Sequence, residues 1–253
     1  MEKRTDAQIY MFNHKPLEYG VWDNALYTPI EVGAALREPF MPQIRDNDDP
    51  DNISEKNPVY LELTGLYYVW KHCHPEKYKG TIQYRRRFEF PEDYDFDMIF
   101  TDHDAVACQP LRLPSVRLQY CVCHSYTDMQ VLEKVVKEMY PEYAEDFDEY
   151  ITYGTKLYYS NGLIMRAEDY DKYCEWLFSI LDRFMVERGW FTNDDVRMAV
   201  QEEVREGVRR STKGEDYQME ICAFLSERLM TLYLRHNCRV YEMPYKKYEG
   251  ILI

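Results

Sequence analysis

The apolar residues of this chain recur with two different spacings, which predict strands and helices in turn. The continuous apolar run AQIYMF, Ala7 to Phe12, is typical of a buried strand and stops at the polar residues NHKP. Further strands are predicted at GTIQY (Gly80 to Tyr84), FDMIFT (Phe96 to Thr101), NGLIM (Asn161 to Met165) and RVYEM (Arg239 to Met243).

Helical spacing first appears after Asn57 and Pro58, an Asn cap followed by Pro at the first helical position. The apolar face of this helix consists of Val59, Leu63, Leu66, Tyr67 and Trp70. Further helices are predicted after a capping box at Thr127 and Gln130, before Gly189, in the charged segment from Asn193, and over Met219 to Leu234. Strands that alternate with helices predict an α/β fold, and since neither a repeat nor a Pro/Gly-rich linker occurs, residues 1–253 are expected to form one domain.

The net charge of the chain limits the classes of partner that we expect it to bind. Asp and Glu number 45 against 31 Lys and Arg, which gives a formal net charge of -14. An acidic surface repels a phosphate backbone, so we expect no nucleic-acid partner. No run of about 18 apolar residues occurs and the N-terminus has no signal-peptide core, so we expect a cytoplasmic protein whose seven cysteines are free thiols.

Three consecutive arginines, Arg85 to Arg87, follow the predicted strand GTIQY in this acidic chain. Because side chains alternate along a strand, Arg85 and Arg87 are expected on one face and Arg86 on the other. Ligands of α/β folds lie beyond the carboxyl ends of the strands, and guanidinium groups bind phosphate in a bidentate way. The arginines therefore indicate a diphosphate pocket; the alternative is a set of salt bridges to the abundant carboxylates.

Two further segments are candidates for ligand contact. His14 and Lys15 follow the first strand and are candidates for contact with phosphate or a nucleobase; the alternative is an ordinary strand-exit turn. The polar loop from Arg45 to Asn57 presents donors and acceptors suited to sugar hydroxyls. The alternative for this loop is a surface turn held by Asx motifs.

A metal site is a further candidate. Asp102 and Asp104 follow the predicted strand FDMIFT, and such a D-x-D pair holds Mg²⁺ or Mn²⁺ against a diphosphate in some enzymes. The same spacing recurs at other places in this acidic chain, so it indicates little by itself. The Cys and His residues lack the paired spacing of structural zinc, and no G-x-S-x-G, P-loop or G-x-G-x-x-G motif occurs.

Several motifs occur in an order that resembles one known family. They are NHKP, YTPIEVGAAL, DNISEKNPVYLELTGLYYVWKH, GTIQYRRRF, YPEYAEDFDEY, SNGLIM, YCEWLFSIL and FLSERL. The chain resembles the bacterial capsular-polysaccharide and O-antigen glycosyltransferases that were long catalogued as a domain of unknown function. In that family the strand motif usually reads His-Tyr-Arg-Arg, whereas Gln83 stands here in place of the histidine.

The resemblance implies a GT-A-like nucleotide-sugar-binding fold, with a mixed central sheet flanked by helices and a helical C-terminal part. It implies transfer of a sugar from a UDP-sugar donor, and some relatives are associated with galactofuranose. The donor-binding residues it implies are His14, Lys15, Asn52, Ser54, Lys56, Asn57, Tyr84, Arg85 and Arg86. With arginines where a metal otherwise neutralises the leaving diphosphate, no cofactor is expected to be required.

An inverting transfer needs a base near the acceptor hydroxyl, and the resemblance places Glu227 of the SERL motif in a ligand-facing helix. The alternative role of Glu227 is an ion pair with Arg228. Asp102 and Asp104 are the fallback for the base, and the residues expected near the sugar or acceptor are Asn161, Arg228, Asp102 and Asp104.

Three functions therefore remain open. The first is a glycosyltransferase that acts on an oligosaccharide or lipid-linked saccharide acceptor, with peripheral contact at the inner face of the cell membrane. The second is a non-catalytic nucleotide-sugar-binding or scaffold component of a polysaccharide assembly complex. The third is a metal-dependent nucleotidyl or phosphoryl enzyme that uses Asp102 and Asp104. The sequence does not define the oligomeric state.

Overall fold

The protein is described by a computed structural model over residues 5–15, 24–41, 44–91, 94–210 and 213–248. The strands are β1 (Ala7–Asn13), β2 (Tyr27–Glu31), β3 (Ile44–Arg45), β4 (Tyr78–Gln83), β5 (Arg86–Phe88), β6 (Ala105–Cys108), β7 (Leu111–Arg112), β8 (Lys156–Leu157), β9 (Leu163–Arg166), β10 (Val240–Met243) and β11 (Tyr245–Lys247). The helices are α1 (Asn57–Tyr60), α2 (Leu63–His72), α3 (Phe96–Asp102), α4 (Val116–Cys123), α5 (Tyr126–Met139), α6 (Ala144–Tyr153), α7 (Ala167–Arg188), α8 (Asn193–Arg205), α9 (Glu215–Met219) and α10 (Ile221–Asn237). Short 3-10 turns occur at Ala34–Leu36, Ser54–Lys56 and Pro141–Tyr143.

The central sheet has seven strands in the order β10-β6-β9-β4-β1-β2-β3. Strand β9 is antiparallel to both of its neighbours, whereas the other strand pairs of this sheet are parallel. Six strands therefore end at the same edge, which we call the carboxyl edge, and β9 begins there. Two small sheets, β5 with β11 and β7 with β8, complete the strand pairing of the described residues.

Both faces of the sheet are covered, because alternate strand residues point to opposite sides. Tyr10 and Phe12 of β1 join a large core beneath the long helices α7 and α10. Ile9 and Met11 join a smaller core that includes Phe100 of α3. The α/β architecture with a mixed sheet flanked by helices is confirmed.

One predicted strand is wrong. The segment from Phe96 to Thr101 lies within helix α3, whose N-cap Asp95 accepts a hydrogen bond from the Asp97 N–H at 2.8 Å. Phe96 and Phe100, four residues apart, are both buried on one side of this helix. The apolar run lacked the alternation that distinguishes a strand from a short buried helix, and the strand of this region is β6, which begins only after Asp104.

The helix boundaries follow local capping signals. Helix α5 is capped by Ser125, whose hydroxyl accepts from the Thr127 N–H, and not by the predicted pair of Thr127 and Gln130. The charged segment predicted to be helical is α8, which has its own capping box. Helix α7 ends at Arg188 and is capped by Gly189, whose φ is 68°, as predicted. Among the described residues no helix combines the length and the apolar composition that a membrane span requires.

Candidate functional site

Arg86 forms one wall of a site at the carboxyl edge, directly after β4. Its side chain is only 7% exposed and packs against the rings of Tyr159 and Tyr245, at 4.6 and 5.7 Å from their centroids. One guanidinium nitrogen donates to the side-chain oxygen of Gln83. The Nε atom is buried and has no hydrogen-bond partner among the described residues. A buried guanidinium with an unused donor is typical of a group that receives an anionic ligand.

Glu227 faces Arg86 from helix α10. Its carboxylate accepts a hydrogen bond from the Ser160 N–H at 2.8 Å and contacts the Arg228 guanidinium at 3.2 Å. Burial raises the pKa of Glu227, while Arg228, the Ser160 N–H and Arg86 favour the charged form. The ion pair with Arg228 and the position at the site therefore coexist, and the pair fixes where the carboxylate lies.

Arg228 and Asn161 contact the carboxylates of Glu227 and Glu62 from the protein interior. Both side chains are almost fully buried. Arg228 donates to the Phe224 carbonyl at 2.9 Å and to the Gln119 side chain. The Asn161 amide donates to Glu62 Oε1 at 3.2 Å. In the structure both contact the carboxylates, and the predicted contact with sugar or acceptor stays a prediction.

Glu62 is the residue of this site that sequence reasoning missed. It lies between α1 and α2, beside Glu227, and burial followed by the charge of Glu227 raises its pKa. The signal in the sequence is a single Glu inside the apolar stretch VYLELTGL. Because that spacing fits the exposed face of a helix, nothing local distinguished Glu62 from a solvated residue.

Backbone strain is concentrated around these carboxylates. Leu61, Ser160 and Asn161 have φ of 45°, 59° and 48°, a left-handed conformation that is unfavourable for side chains other than glycine. The Asn57 amide donates to the Leu61 carbonyl at 2.8 Å and helps to hold this conformation. Strain of this kind clusters at functional sites, because the surrounding structure must be built to maintain it.

Glu220 is the third carboxylate near the site, and burial and then the charge of Glu62 raise its pKa to about 7. The folded protein keeps this proton up to about pH 7, whereas the unfolded chain releases it near 4.5, so stability falls as pH rises between these values. Glu220→Gln should therefore raise the free energy of unfolding at pH 8 by on the order of 1 kcal/mol, after discounting for solvent screening, and by less at pH 5. Urea denaturation at both pH values measures the difference.

Glu215→Gln is the matched control for this measurement. Gln201 and Arg197 hold the pKa of the Glu215 carboxyl below its usual value, so this substitution should lower stability near neutral pH. A gain at Glu220 that is the same at both pH values would contradict the assignment.

A second group of cations lies on the other side of β4. Arg85 Nε donates to the Tyr84 hydroxyl at 2.6 Å, and the His14 ring meets the Tyr84 ring edge-on at 4.8 Å. Burial first, then the charges of Lys15, Arg85 and Arg37, lower the pKa of His14 to about 4. His14 is therefore neutral near pH 7 and leaves Arg85 and Lys15 as the positive charges of this group.

The three arginines do not alternate as predicted, because the chain turns at Tyr84 and Arg85 before β5 begins. Arg87 is buried and donates to the carbonyls of Tyr84 and Arg86 at 3.0 and 2.6 Å. It holds the turn from within, while Arg86 points to the carboxylates and Arg85 to the group around His14.

The polar loop from Arg45 to Asn57 is bound to itself through buried Asp46. This carboxylate accepts from the Gly33 N–H at 2.7 Å, the Ala34 N–H at 3.0 Å, and the Ser54 and Thr64 hydroxyls, both at 2.5 Å. The loop thereby ties the ends of β2 and β3 to helix α2.

The predicted donor-binding residues of the loop share this internal role. Asn52 accepts from the Ser54 N–H at 3.0 Å and donates to the Asp49 carbonyl, and Lys56 lies over the Tyr60 ring at 5.6 Å. These contacts match the Asx-turn alternative, and donor binding by these residues stays a prediction.

Asp102 and Asp104 lie away from the site. They precede β6 and therefore sit at the edge of the sheet opposite the carboxyl edge. Asp104 is paired with Arg239, at 3.0 Å to Nε and 3.1 Å to the guanidinium nitrogen Nη2. No group of three or more His, Cys, Asp or Glu side chains suited to a metal ion occurs within the described ranges.

A largely parallel sheet with one reversed strand, covered by helices on both faces, agrees with the GT-A-like α/β fold that the motifs imply. The chain belongs to the family DUF4422, described as a domain of unknown function, which matches residues 8–198. The family resemblance inferred from the motifs is thus confirmed.

Comparison with solved structures supports the same fold. The chain is similar to the apo structure of WbbM, a bifunctional glycosyltransferase, with a TM-score of 0.73 and 23% sequence identity. The match covers 97% of this chain but 46% of that chain, so this chain spans less than half of WbbM. At this identity the likeness shows the fold. No match was found among curated proteins.

Proposed function

We propose that this protein is a glycosyltransferase that moves a sugar from a UDP-sugar to a capsular, O-antigen or exopolysaccharide acceptor. The observation that carries the proposal is the group formed by buried Arg86 and the half-buried carboxyls of Glu62 and Glu227 at the carboxyl edge, where α/β folds bind nucleotides. The fold shared with the glycosyltransferase WbbM supports the same reaction class.

In this proposal the donor diphosphate lies between the two cationic groups, with Arg86 on one side and Arg85 and Lys15 on the other. The bond between the anomeric carbon and the diphosphate oxygen breaks, and its electron pair leaves with UDP. Fixed guanidinium groups stabilise the negative charge that develops there, and they need no reorganisation to do so. This assigns the arginines the role that a metal has in other enzymes of this fold class.

Glu227 is the proposed base that takes the proton of the acceptor hydroxyl, with inversion at the anomeric carbon. Arg228 and the Ser160 N–H favour its charged form. Burial and the charge of Glu227 raise the pKa of Glu62, against smaller opposing effects of Asn161 and Arg86, so we propose that Glu62 is the carboxyl that holds the proton of the pair. A protonated Glu62 is suited to donate a hydrogen bond to a sugar oxygen.

The test combines UDP binding with donor hydrolysis. We expect UDP to raise the melting temperature of the purified protein, and one of several UDP-sugars to release free UDP. UDP-galactofuranose belongs in this set because the family resemblance includes its transfer. The absence of any UDP-dependent shift would overturn the proposal, and UDP binding without turnover of any donor and acceptor would favour the scaffold alternative.

The same assay tests whether sugar transfer requires a metal ion. Because arginines stabilise the leaving diphosphate in this proposal, we expect UDP release to persist in excess EDTA. Complete loss that is restored by Mn²⁺ would refute the role given to the arginines.

Arg86→Ala should weaken UDP binding by about 10- to 100-fold, because a charge-assisted contact to phosphate is lost. Calorimetric titration with UDP measures the affinity, and the melting temperature without ligand shows whether the variant folds. Arg183→Ala removes a guanidinium that is 47% exposed on α7 and should leave UDP affinity unchanged. Equal affinity in both variants would exclude Arg86 from the donor site.

A further inference from the structure

An apolar and basic surface lies beside the candidate site and has no role in the proposed reaction. We call it the basic apolar patch, and its members are Leu111, Arg112, Arg117, Leu118, Val122, Tyr126 and Tyr153. Leu118 and Val122 are 58% and 54% exposed, although they stand four residues apart on one face of α4. Tyr153 is 78% exposed. Adjacent apolar side chains in water mark a surface that another body covers.

Backbone hydrogen bonds make the patch continuous. The Val116 N–H donates to the Gly154 carbonyl at 2.9 Å, which brings Tyr153 to the start of α4. The Leu113 N–H donates to Thr155 at 2.7 Å, and this bond fixes strand β7 beside the same segment. The guanidinium of Arg117, in the first turn of α4, donates to the hydroxyl of Tyr126, the first residue of α5, at 2.7 Å.

The charge of the patch differs from that of the rest of the molecule. No Asp or Glu occurs between Asp104 and Asp128, although the chain has 45 of them among 253 residues and a net charge of -14. Some exposed apolar residues elsewhere stand beside carboxylates: Val186 precedes Glu187, and Phe191 is close to Asp194. Within residues 105–127 the exposed apolar side chains are accompanied by arginine and not by carboxylates, whereas Tyr153 lies one turn after the exposed carboxylate Glu149 on α6. The α4 part of the patch therefore matches an anionic lipid surface.

The patch is joined to the candidate site at both ends of its small sheet. Leu111 stands three positions after Cys108 at the carboxyl edge, and Ser160, whose N–H holds Glu227, stands three positions after Leu157. A three-residue segment spans at most about 10 Å, so the patch and the carboxylates lie on the same side of the molecule.

From these observations we propose that the basic apolar patch binds the surface of an anionic lipid bilayer. Leu118, Val122 and Tyr153 enter the interface, and Arg112 and Arg117 contact lipid phosphates. This contact brings the carboxyl edge next to the membrane, where a lipid-linked saccharide presents its acceptor hydroxyl. The acceptor class rests on the proposed function, whereas the lipid contact does not.

Vesicle flotation tests the lipid contact directly. The full chain is mixed with vesicles of phosphatidylcholine alone, or of phosphatidylcholine with 30% phosphatidylglycerol. We expect binding to the anionic vesicles that weakens as salt rises from about 50 to 500 mM, and little binding to the neutral ones. Failure of the wild-type protein to bind anionic vesicles at low salt would overturn the proposal.

Variants locate the contact. Leu118→Glu with Val122→Glu should reduce binding to anionic vesicles at least about tenfold, because two charges replace the inserted side chains. The matched control is Met98→Glu with Met198→Glu, two substitutions of exposed apolar residues on α3 and α8. Equal loss of vesicle binding in both double variants would refute the role of the patch. Dimerisation that depends on the patch, measured by light scattering and without lipid binding, would refute it as well.

The lipid contact and the glycosyltransferase activity can be refuted independently of each other. Hydrolysis of the UDP-sugar in solution should be unchanged by the patch substitutions, since none of these residues belongs to the candidate site. Vesicle binding without any UDP binding would retain the patch and reject the glycosyltransferase, and UDP binding without vesicle binding would do the reverse.

Discussion

Glu227→Gln will lower the rate of sugar transfer by about 10²- to 10⁴-fold while UDP affinity stays within about twofold of the wild type. The amide keeps the shape of the side chain and can still contact Ser160 and Arg228, but it cannot accept the acceptor proton. The loss should therefore appear in kcat and not in donor binding. Free-UDP release in the presence of acceptor, together with calorimetric titration of UDP, measures both quantities.

Two comparisons make this result specific. Glu62→Gln removes the neighbouring carboxyl and should leave measurable turnover. The acid limb of its pH profile should still lie above the usual pKa of a Glu side chain, because burial raises the pKa of Glu227. Glu149→Gln alters a carboxylate that is 60% exposed and paired with Arg235, and it should not affect the rate. Near-normal turnover by the Glu227 variant would remove this residue as the base.

Asp46→Ala will destabilise the protein by about 3–5 kcal/mol, the cost of leaving several buried donors without their acceptor. The carboxylate of Asp46 is fully buried and receives two backbone N–H groups and two hydroxyls. For a chain of this length the loss corresponds to a drop of about 10 °C in melting temperature. Differential scanning calorimetry measures it.

Asp49→Ala is the control in the same loop. Its carboxylate is 46% exposed and accepts one hydrogen bond, from the Asp51 N–H at 2.9 Å, so the loss should not exceed about 1 kcal/mol. Equal destabilisation by the two variants would show that Asp46 is not the centre of the loop.

The Glu227 and Asp46 predictions concern two segments that the sequence motifs had marked as candidates for ligand contact. Glu227 was identified through a motif, and the structure places it opposite Arg86, another motif residue, at the carboxyl edge. The loop from Arg45 to Asn57 was equally conspicuous, yet its Asn and Ser side chains bind Asp46 and the local backbone. The motifs therefore brought several candidate residues together at one edge of the sheet, but they did not separate the residues of the candidate site from those that hold the loop.

The errors have a common physical cause. FDMIFT was predicted to be a strand because a short apolar run fits a buried strand and a buried helix equally well. This error placed Asp102 and Asp104 beyond a strand end, whereas they precede β6 at the opposite edge. Glu62 was missed because its partner Asn161 is 99 residues away in sequence, and no local spacing reports such a contact.

The sequence by itself determined the α/β class, the family, most of the helices and the arginines that follow β4, because periodicity, capping residues and contiguous motifs are local properties. Only the tertiary structure decided which charged groups meet. The reversal of β9 brings Asn161 to the carboxyl edge, and the packing of α10 brings Glu227 to Glu62 and Arg86. These contacts depend on the path of the chain through the sheet, and the burial that shifts the pKa values of the carboxylates exists only once that path is complete.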